Sequence, residues 1–335
     1  MGGSARSLAA RLLRWYGAQH RDFPWRRTRD PYRIWVSEVM LQQTRAETVI
    51  PYYQRFLERF PDVAALAGAP EDEVLAIWSG LGYYSRARHL HRAARLMDGV
   101  FPNSYAAIRA LPGVGDYTAA AIASIAFGLP YAVLDGNVLR VVARVANDPA
   151  DIGAGGTRAR FRRIAQEWLD PRQAGEFNQA LMELGATVCL PRVPRCEACP
   201  LAALCAARRA GCQRQLPVKL RKARPVHVAM AVAVVLRRGR LLLWQRAADE
   251  RRMAGFWELP GTEQLPQSED LPAIGTFRHT ITHHQYRVTV RSGSLARNVR
   301  AVPPLRWIPF AALPSLPLST TATKALRLAG ILASR

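Results

Sequence analysis

Residues 111–140, LPGVGDYTAAAIASIAFGLPYAVLDGNVLR, hold two turns separated by a run of small apolar residues. Gly113 and Gly115 stand one residue apart, and the run Ala119–Phe127 after them reads as a buried helix entered from a hairpin. A turn built from Gly113, Val114 and Gly115 points backbone N–H groups outward at a helix N-terminus, where the helix dipole favours an anion such as a DNA phosphate. A tight turn between two core helices would use the same glycines. The second turn, LDGN, brings Asp135 close in sequence to the first. A carboxylate there could face a sugar-phosphate on which positive charge develops.

The chain around this stretch has 335 residues, 49% of them hydrophobic, enough for two domains that each bury a core. Lys+Arg number 47 against 25 Asp+Glu, a formal charge of +22, which points to a polyanionic partner. An anionic membrane surface or a ribosome would attract the same charge. No apolar run reaches the ~18 residues that span a bilayer, and MGGSARSLAA lacks a signal-peptide core, so a cytoplasmic protein is expected. Nearly all the positive charge is arginine. Lysine occurs only at Lys219, Lys222 and Lys324, so residues 1–218 offer no amine for Schiff-base chemistry.

Upstream, Asp30-Pro31 reads as a helix start, and Trp35, Val36, Val39 and Met40 form an apolar stripe. Glu38 lies inside that stripe, where desolvation raises a carboxyl pKa toward neutrality and suits it to donate a proton. A glutamate paired with one of the many arginines is the plainer alternative. Residues 63–98 read as helices separated by GLGYYSRARHL, whose glycines, tyrosines and arginines suit a wedge-and-clamp contact with nucleic acid or, equally, core packing. Residues 140–188 read as helical. Cys189, Cys196, Cys199 and Cys205, spaced C-x6-C-x2-C-x5-C, point to a metal rather than disulfides, and the chemistry of four thiolates leaves zinc and iron–sulfur open. Cys212 falls outside the pattern. QRQLPVKLRKARPV, residues 213–226, reads as a linker, and beyond it VHVAMAVAVVL-RRGR-LLLWQR reads as a hairpin and TFRHTITHHQYRVTVRSG as further strands.

LPGVG-x-x-TA followed by LDGNV-x-R resembles the helix-hairpin-helix glycosylase superfamily that includes endonuclease III, and within it the sequence is similar to the MutY-type adenine DNA glycosylases. The resemblance implies an all-α helix-hairpin-helix glycosylase domain with an iron–sulfur cluster loop over residues 1–212, followed by an α+β Nudix-like domain over 227–335. Within the first, it implies a six-helix barrel module at about 30–137 and an iron–sulfur module of 1–29 plus 138–212. It makes Glu38 and Asp135 the catalytic acid and the stabilising carboxylate, with Tyr117 and Asn137 positioning them. Trp25, Arg26 and Gln179 would receive the extruded base. Gln43, Thr44, Leu81, Tyr83 and the hairpin Gly113-Val114-Gly115 would contact DNA. The four cysteines would hold a 4Fe-4S cluster.

The family's lyase members carry lysine where this chain has Tyr117, which implies a monofunctional enzyme. GFWELPGT resembles the Nudix fold, yet no R-E-x-x-E-E cluster follows Gly261, so pyrophosphate hydrolysis is not expected. The family's lesion-reading loop often reads Phe-Ser-His. Here Ile281, Thr282 and His283 stand in its place, Thr282 and His283 as DNA contacts and Ile281 without the aromatic face. The implied substrate is double-stranded DNA with A:8-oxoguanine or A:G mispairs, bound by a monomer away from membranes, in a bacterial nucleoid. Two rivals remain: a glycosylase/lyase for oxidised pyrimidines, opposed by Tyr117, and a non-catalytic lesion binder, opposed by the pairing of Glu38 with Asp135.

Overall fold

A computed structural model describes residues 2–220, 225–247, 250, 253, 255–281, 283–294 and 304–333. The chain forms two compact units, residues 1–67 with 92–222, and residues 68–91 with 223–335. Twelve helices precede the first strand among the described residues: α1 Gly2–Gln19, α2 Pro31–Leu41, α3 Ala46–Arg59, α4 Val63–Gly68, α5 Glu71–Trp78, α6 Ser85–Leu96, α7 Tyr105–Arg109, α8 Asp116–Phe127, α9 Gly136–Val145, α10 Gly155–Trp168, α11 Ala174–Thr187 and α12 Ala206–Arg209. None of the described helices is long and apolar enough to cross a membrane.

In the first unit, α2 starts where the sequence places it. The Asp30 carboxylate accepts the Tyr32 and Arg33 N–H groups at 2.9 and 3.3 Å, and Pro31 fills the first helical position. The expected stripe is an understatement: every residue from Ile34 to Met40 is buried, because α3 and α8 both pack on α2. Nor is LDGN a free turn. Asp135 caps α9, its Oδ1 accepting the Val138 N–H at 2.7 Å, so that side chain is fixed at a helix start. Residues 140–188 divide into the end of α9, α10 and α11. Leu12, Val138, Val142, Phe161, Phe177 and Leu181 join in one core, where each fully buried side chain contributes about 1.5–3 kcal/mol. The helices approach closely at Gly185, where a Cβ would lie 2.6 Å from the Asn137 Cβ.

The second unit is the α+β part that the strand patterns anticipate. Its strands are β1 Val226–Arg237, β2 Arg240–Gln245, β3 Trp257–Glu258, β4 Ala273–Ile281, β5 His284–Gly293 and β6 Leu305–Pro309, followed by α13 Thr320–Leu328. They pair in the order β3-β2-β1-β5-β4, with β6 on β2. The β1–β2 hairpin closes with Arg237 opposite Arg240, and Arg238 and Gly239 between them both take positive φ, 49° and 72°, the turn that matches strand twist. β1 runs parallel to β5 and β4 antiparallel to it, with Ile281 opposite His284. α13 covers one face through Ala322, Ala325 and Leu326 over Val232, Val288 and Val290, while Leu265 and Leu271 cover Ala233 and Val235 on the other.

Residues 68–91 group with this sheet. The Tyr84 ring lies 4.0 Å from that of Phe256, and its hydroxyl donates to the Leu318 carbonyl at 3.5 Å. The spacer GLGYYSRARHL is shorter than its sequence suggests, since the helix-favouring run from Ser85 onward already belongs to α6.

Candidate active site

Glu38 sits in the middle of α2, 5% exposed. Tyr117, in the first turn of α8, donates its hydroxyl to Glu38 Oε2 at 2.7 Å and stands 3.2 Å from the Met182 sulfur. Burial pushes the Glu38 carboxyl up to about 7. The Tyr117 hydrogen bond pulls it down, the Asp135 charge adds to the rise and Arg26 opposes it. An acid half-protonated at neutrality, with its hydrogen-bond partner fixed, is poised to give up a proton. Burial and the adjoining Glu38 charge raise the Tyr117 phenol well above its usual range, so it stays a neutral donor.

Asp135 occupies a different environment. Burial raises its pKa, but the Val138 N–H and the Asn137 side-chain amide, the latter at 2.9 Å on Oδ2, favour the charged form. Two carboxylates within electrostatic reach, one apolar-walled and one held by donors, divide naturally into an acid and an anion.

The remaining residues implied by the sequence are placed as follows. Trp25 is buried, stacked on Phe23 at 5.0 Å and edge-on to Tyr53 at 5.5 Å. Arg26 pairs with Glu183 at 2.7 Å and donates to the Arg21 carbonyl at 2.7 Å. Gln179 Oε1 accepts the Tyr16 hydroxyl at 3.3 Å. Gln43 is exposed at φ 58°, beside a half-buried Thr44. In the hairpin, Gly113 takes φ 76°, Val114 is buried, its carbonyl accepts Arg109 Nη1 at 2.9 Å, and Gly115 caps α8. Within the second unit, Leu81 is 7% exposed and Tyr83 41%. Tyr83 projects from a backbone at φ 49°, and the Gly82 carbonyl beneath it accepts both Trp78 Nε1 and Arg86 Nη2 at 3.1 Å. His283 is exposed and its ring lies 4.2 Å from that of His284; Thr282 lies outside the described residues.

Two residues escaped sequence reasoning. Glu183, 1% exposed, accepts from Arg21 and Arg26 at once, tying the N-terminal segment to α11. Arg140 ends the LDGNV-x-R motif without a role that the sequence could assign. Its guanidinium donates to Asn137 Oδ1 at 2.8 Å, the Gly185 carbonyl at 2.6 Å and the Cys189 carbonyl at 2.7 Å. The only signal for either was a charge set in an apolar helical run.

Cys189, Cys196, Cys199 and Cys205 line one cavity together with Arg144, Val188 and Pro194. Burial pushes the Cys199 thiol up to about 12, and the other three cysteines add to the rise. Among the described residues no three His, Cys, Asp or Glu side chains stand together as a site for one metal ion. Four soft donors around a shared cavity nonetheless suit a group larger than one ion, bonded by a thiolate at each corner.

Residues 36–168 match the HhH-GPD superfamily base excision DNA repair protein family. The chain is 35% identical to mouse adenine DNA glycosylase, over 96% of this chain and 78% of that protein. It is 47% identical to the human adenine DNA glycosylase over 61% of this chain, spanning 40% of the relative, and 38% identical to that of Arabidopsis thaliana over 74% of this chain, spanning 46%. Among solved structures, a thermostable thymine-DNA glycosylase superposes with TM-score 0.55 and 31% identity, covering 62% of this chain and 97% of its own. An endonuclease III–DNA complex superposes with TM-score 0.51 at 20% identity, over 61% of this chain and 94% of its own, a likeness of fold.

Proposed function

We propose, from the premise that this chain belongs to the HhH-GPD superfamily of base excision DNA repair proteins and within it to the adenine DNA glycosylases, that it excises adenine mispaired with 8-oxoguanine or guanine, as a monofunctional enzyme. The observation that carries this reading is Glu38, buried at a pKa of about 7, beside Tyr117 and the donor-held Asp135. The adenine must leave the stack, because its glycosidic bond is inaccessible inside a duplex. Glu38 gives its proton to adenine N7. The C1′–N9 bonding pair then departs with the base, which leaves neutral, and the sugar becomes an oxocarbenium ion. Asp135 stabilises that cation, and water adds at C1′ and gives its proton to the Glu38 carboxylate, which restores the acid. Tyr117 occupies the position where a lyase needs an amine, and residues 1–218 supply no lysine.

Single-turnover excision from duplexes holding A:8-oxoguanine, A:G, A:C or T:8-oxoguanine tests the assignment. Release of adenine from the first two, with no strand cleavage, is expected; release of thymine, or borohydride-trapped protein–DNA adduct, would overturn it.

The cavity around Cys189, Cys196, Cys199 and Cys205 supports a 4Fe-4S cluster as the resident cofactor. When bound, such a group ties four points of the chain covalently, while Arg144 donates to the Leu190, Pro191 and Leu216 carbonyls around it. Purified protein should contain iron and acid-labile sulfide and absorb in the blue. Stoichiometric zinc without that colour would reverse the assignment.

A further inference from the structure

β4 and β5 set Arg278 directly opposite Arg287, both exposed. Facing residues on an antiparallel pair hold their Cβ atoms about 4.5–5.5 Å apart, and like charges there repel. None of the ion pairs among the described residues involves either arginine. Their surroundings offer no relief. On the same sheet face stand Thr276 opposite Thr289, Thr280 opposite Gln285, and His227, Ala229 and Ala231 from β1, with no carboxylate anywhere in the three strands. Ala229 lies beside Arg287 and is itself exposed, which leaves room next to the guanidiniums. The opposite face of these strands packs under α13, and Leu265 and Leu271 cover this face only farther along, at Ala233 and Val235.

A solvated sheet face needs polar residues, but it does not need two opposed cations without an acid. We infer that this face, centred on Arg278 and Arg287, binds the phosphodiester backbone of double-stranded DNA without reading base or lesion. An anion bridging the two guanidiniums turns their repulsion into a bidentate clamp, and the threonine hydroxyls and Gln285 amide supply neutral donors around it. Its role differs from the one that the resemblance gives Ile281, Thr282 and His283, which is to meet the base opposite adenine. The inference rests on reading the chain as a DNA enzyme, but its test requires no excision.

The test measures binding of the full chain to a fully paired duplex as salt is varied. Each phosphate neutralised adds about 0.9 to the slope of log affinity against log salt, so R278Q/R287Q, which gives up the one phosphate bridged by both arginines, should lower it by about 0.9 and weaken binding roughly 10-fold at 0.1 M salt. R278K/R287K, which keeps both charges, should keep the slope. Because removing one of two opposed charges relieves repulsion, R287T should melt no lower than the parent. Wild-type slope and affinity in the glutamine variant would overturn the proposal and leave the face to an acidic protein; a lowered melting point for R287T would overturn its electrostatic premise. Failure of the adenine reading would appear instead in the mispair panel, which this binding measurement does not consult.

Discussion

Glu38→Gln should lower the single-turnover rate of adenine excision by roughly 10²- to 10⁴-fold, the range for removing a positioned general acid, while the duplex is still bound. The amide preserves the shape of the side chain and can still accept from Tyr117, so the missing proton is the main change. Wild-type enzyme should show the complementary pH dependence. With Glu38 at about 7, the rate holds at lower pH and falls about tenfold per unit once the acid is deprotonated.

The same shift has a stability consequence of fixed sign. The carboxyl binds its proton more tightly in the folded protein than at its ordinary 4.5, so stability is undiminished below 4.5 and declines as pH rises to about 7. The loss is on the order of 3 kcal/mol. Glu38→Gln escapes it and should melt above wild type at pH 8. Full excision activity in this variant would remove Glu38 from the mechanism.

Asp135→Asn should cost at least ~10² in excision rate, the scale of losing one preorganised electrostatic group. This residue also caps α9, so a loss of rate alone would not separate chemistry from folding. Asparagine caps a helix about as well as aspartate, whereas alanine gives up about 1 kcal/mol. Asp135→Asn should therefore keep the wild-type melting temperature and Asp135→Ala should lower it, with both losing excision. Equal loss of stability in the two variants and retained excision in the asparagine one would reduce Asp135 to a structural cap.

The features legible in the sequence are those written locally. Asp30-Pro31 starts α2, RRGR turns β1 into β2, and the spacing of four cysteines within seventeen residues is visible without coordinates. Glu38 was legible because it lies inside the apolar stripe of Trp35, Val36, Val39 and Met40, although the extent of its burial was not, since that depends on α3 and α8. Distance along the chain hid the rest. Arg26 and Glu183 are 157 residues apart, and Arg140 meets Cys189 across 49, so no periodicity marks either pair. Residues 68–91 read as one more stretch of a helical domain, whereas Tyr84 meets Phe256 and the Leu318 carbonyl, partners far away in sequence.

Two buried glutamates of the first unit titrate far from each other. Burial alone would push the Glu183 carboxyl up, but the hydrogen bonds from Arg21 and Arg26 hold it near 2, against about 7 for Glu38. The Glu183 contribution to stability is present above its ordinary 4.5 and lost only as pH falls toward 2, outside the range in which Glu38 changes state. Glu183 and Glu38 thus change charge in separate pH ranges. In the proposed mechanism a proton would leave Glu38 and return in each cycle while the clasp that fixes Arg26 and the N-terminal segment on α11 keeps its charge.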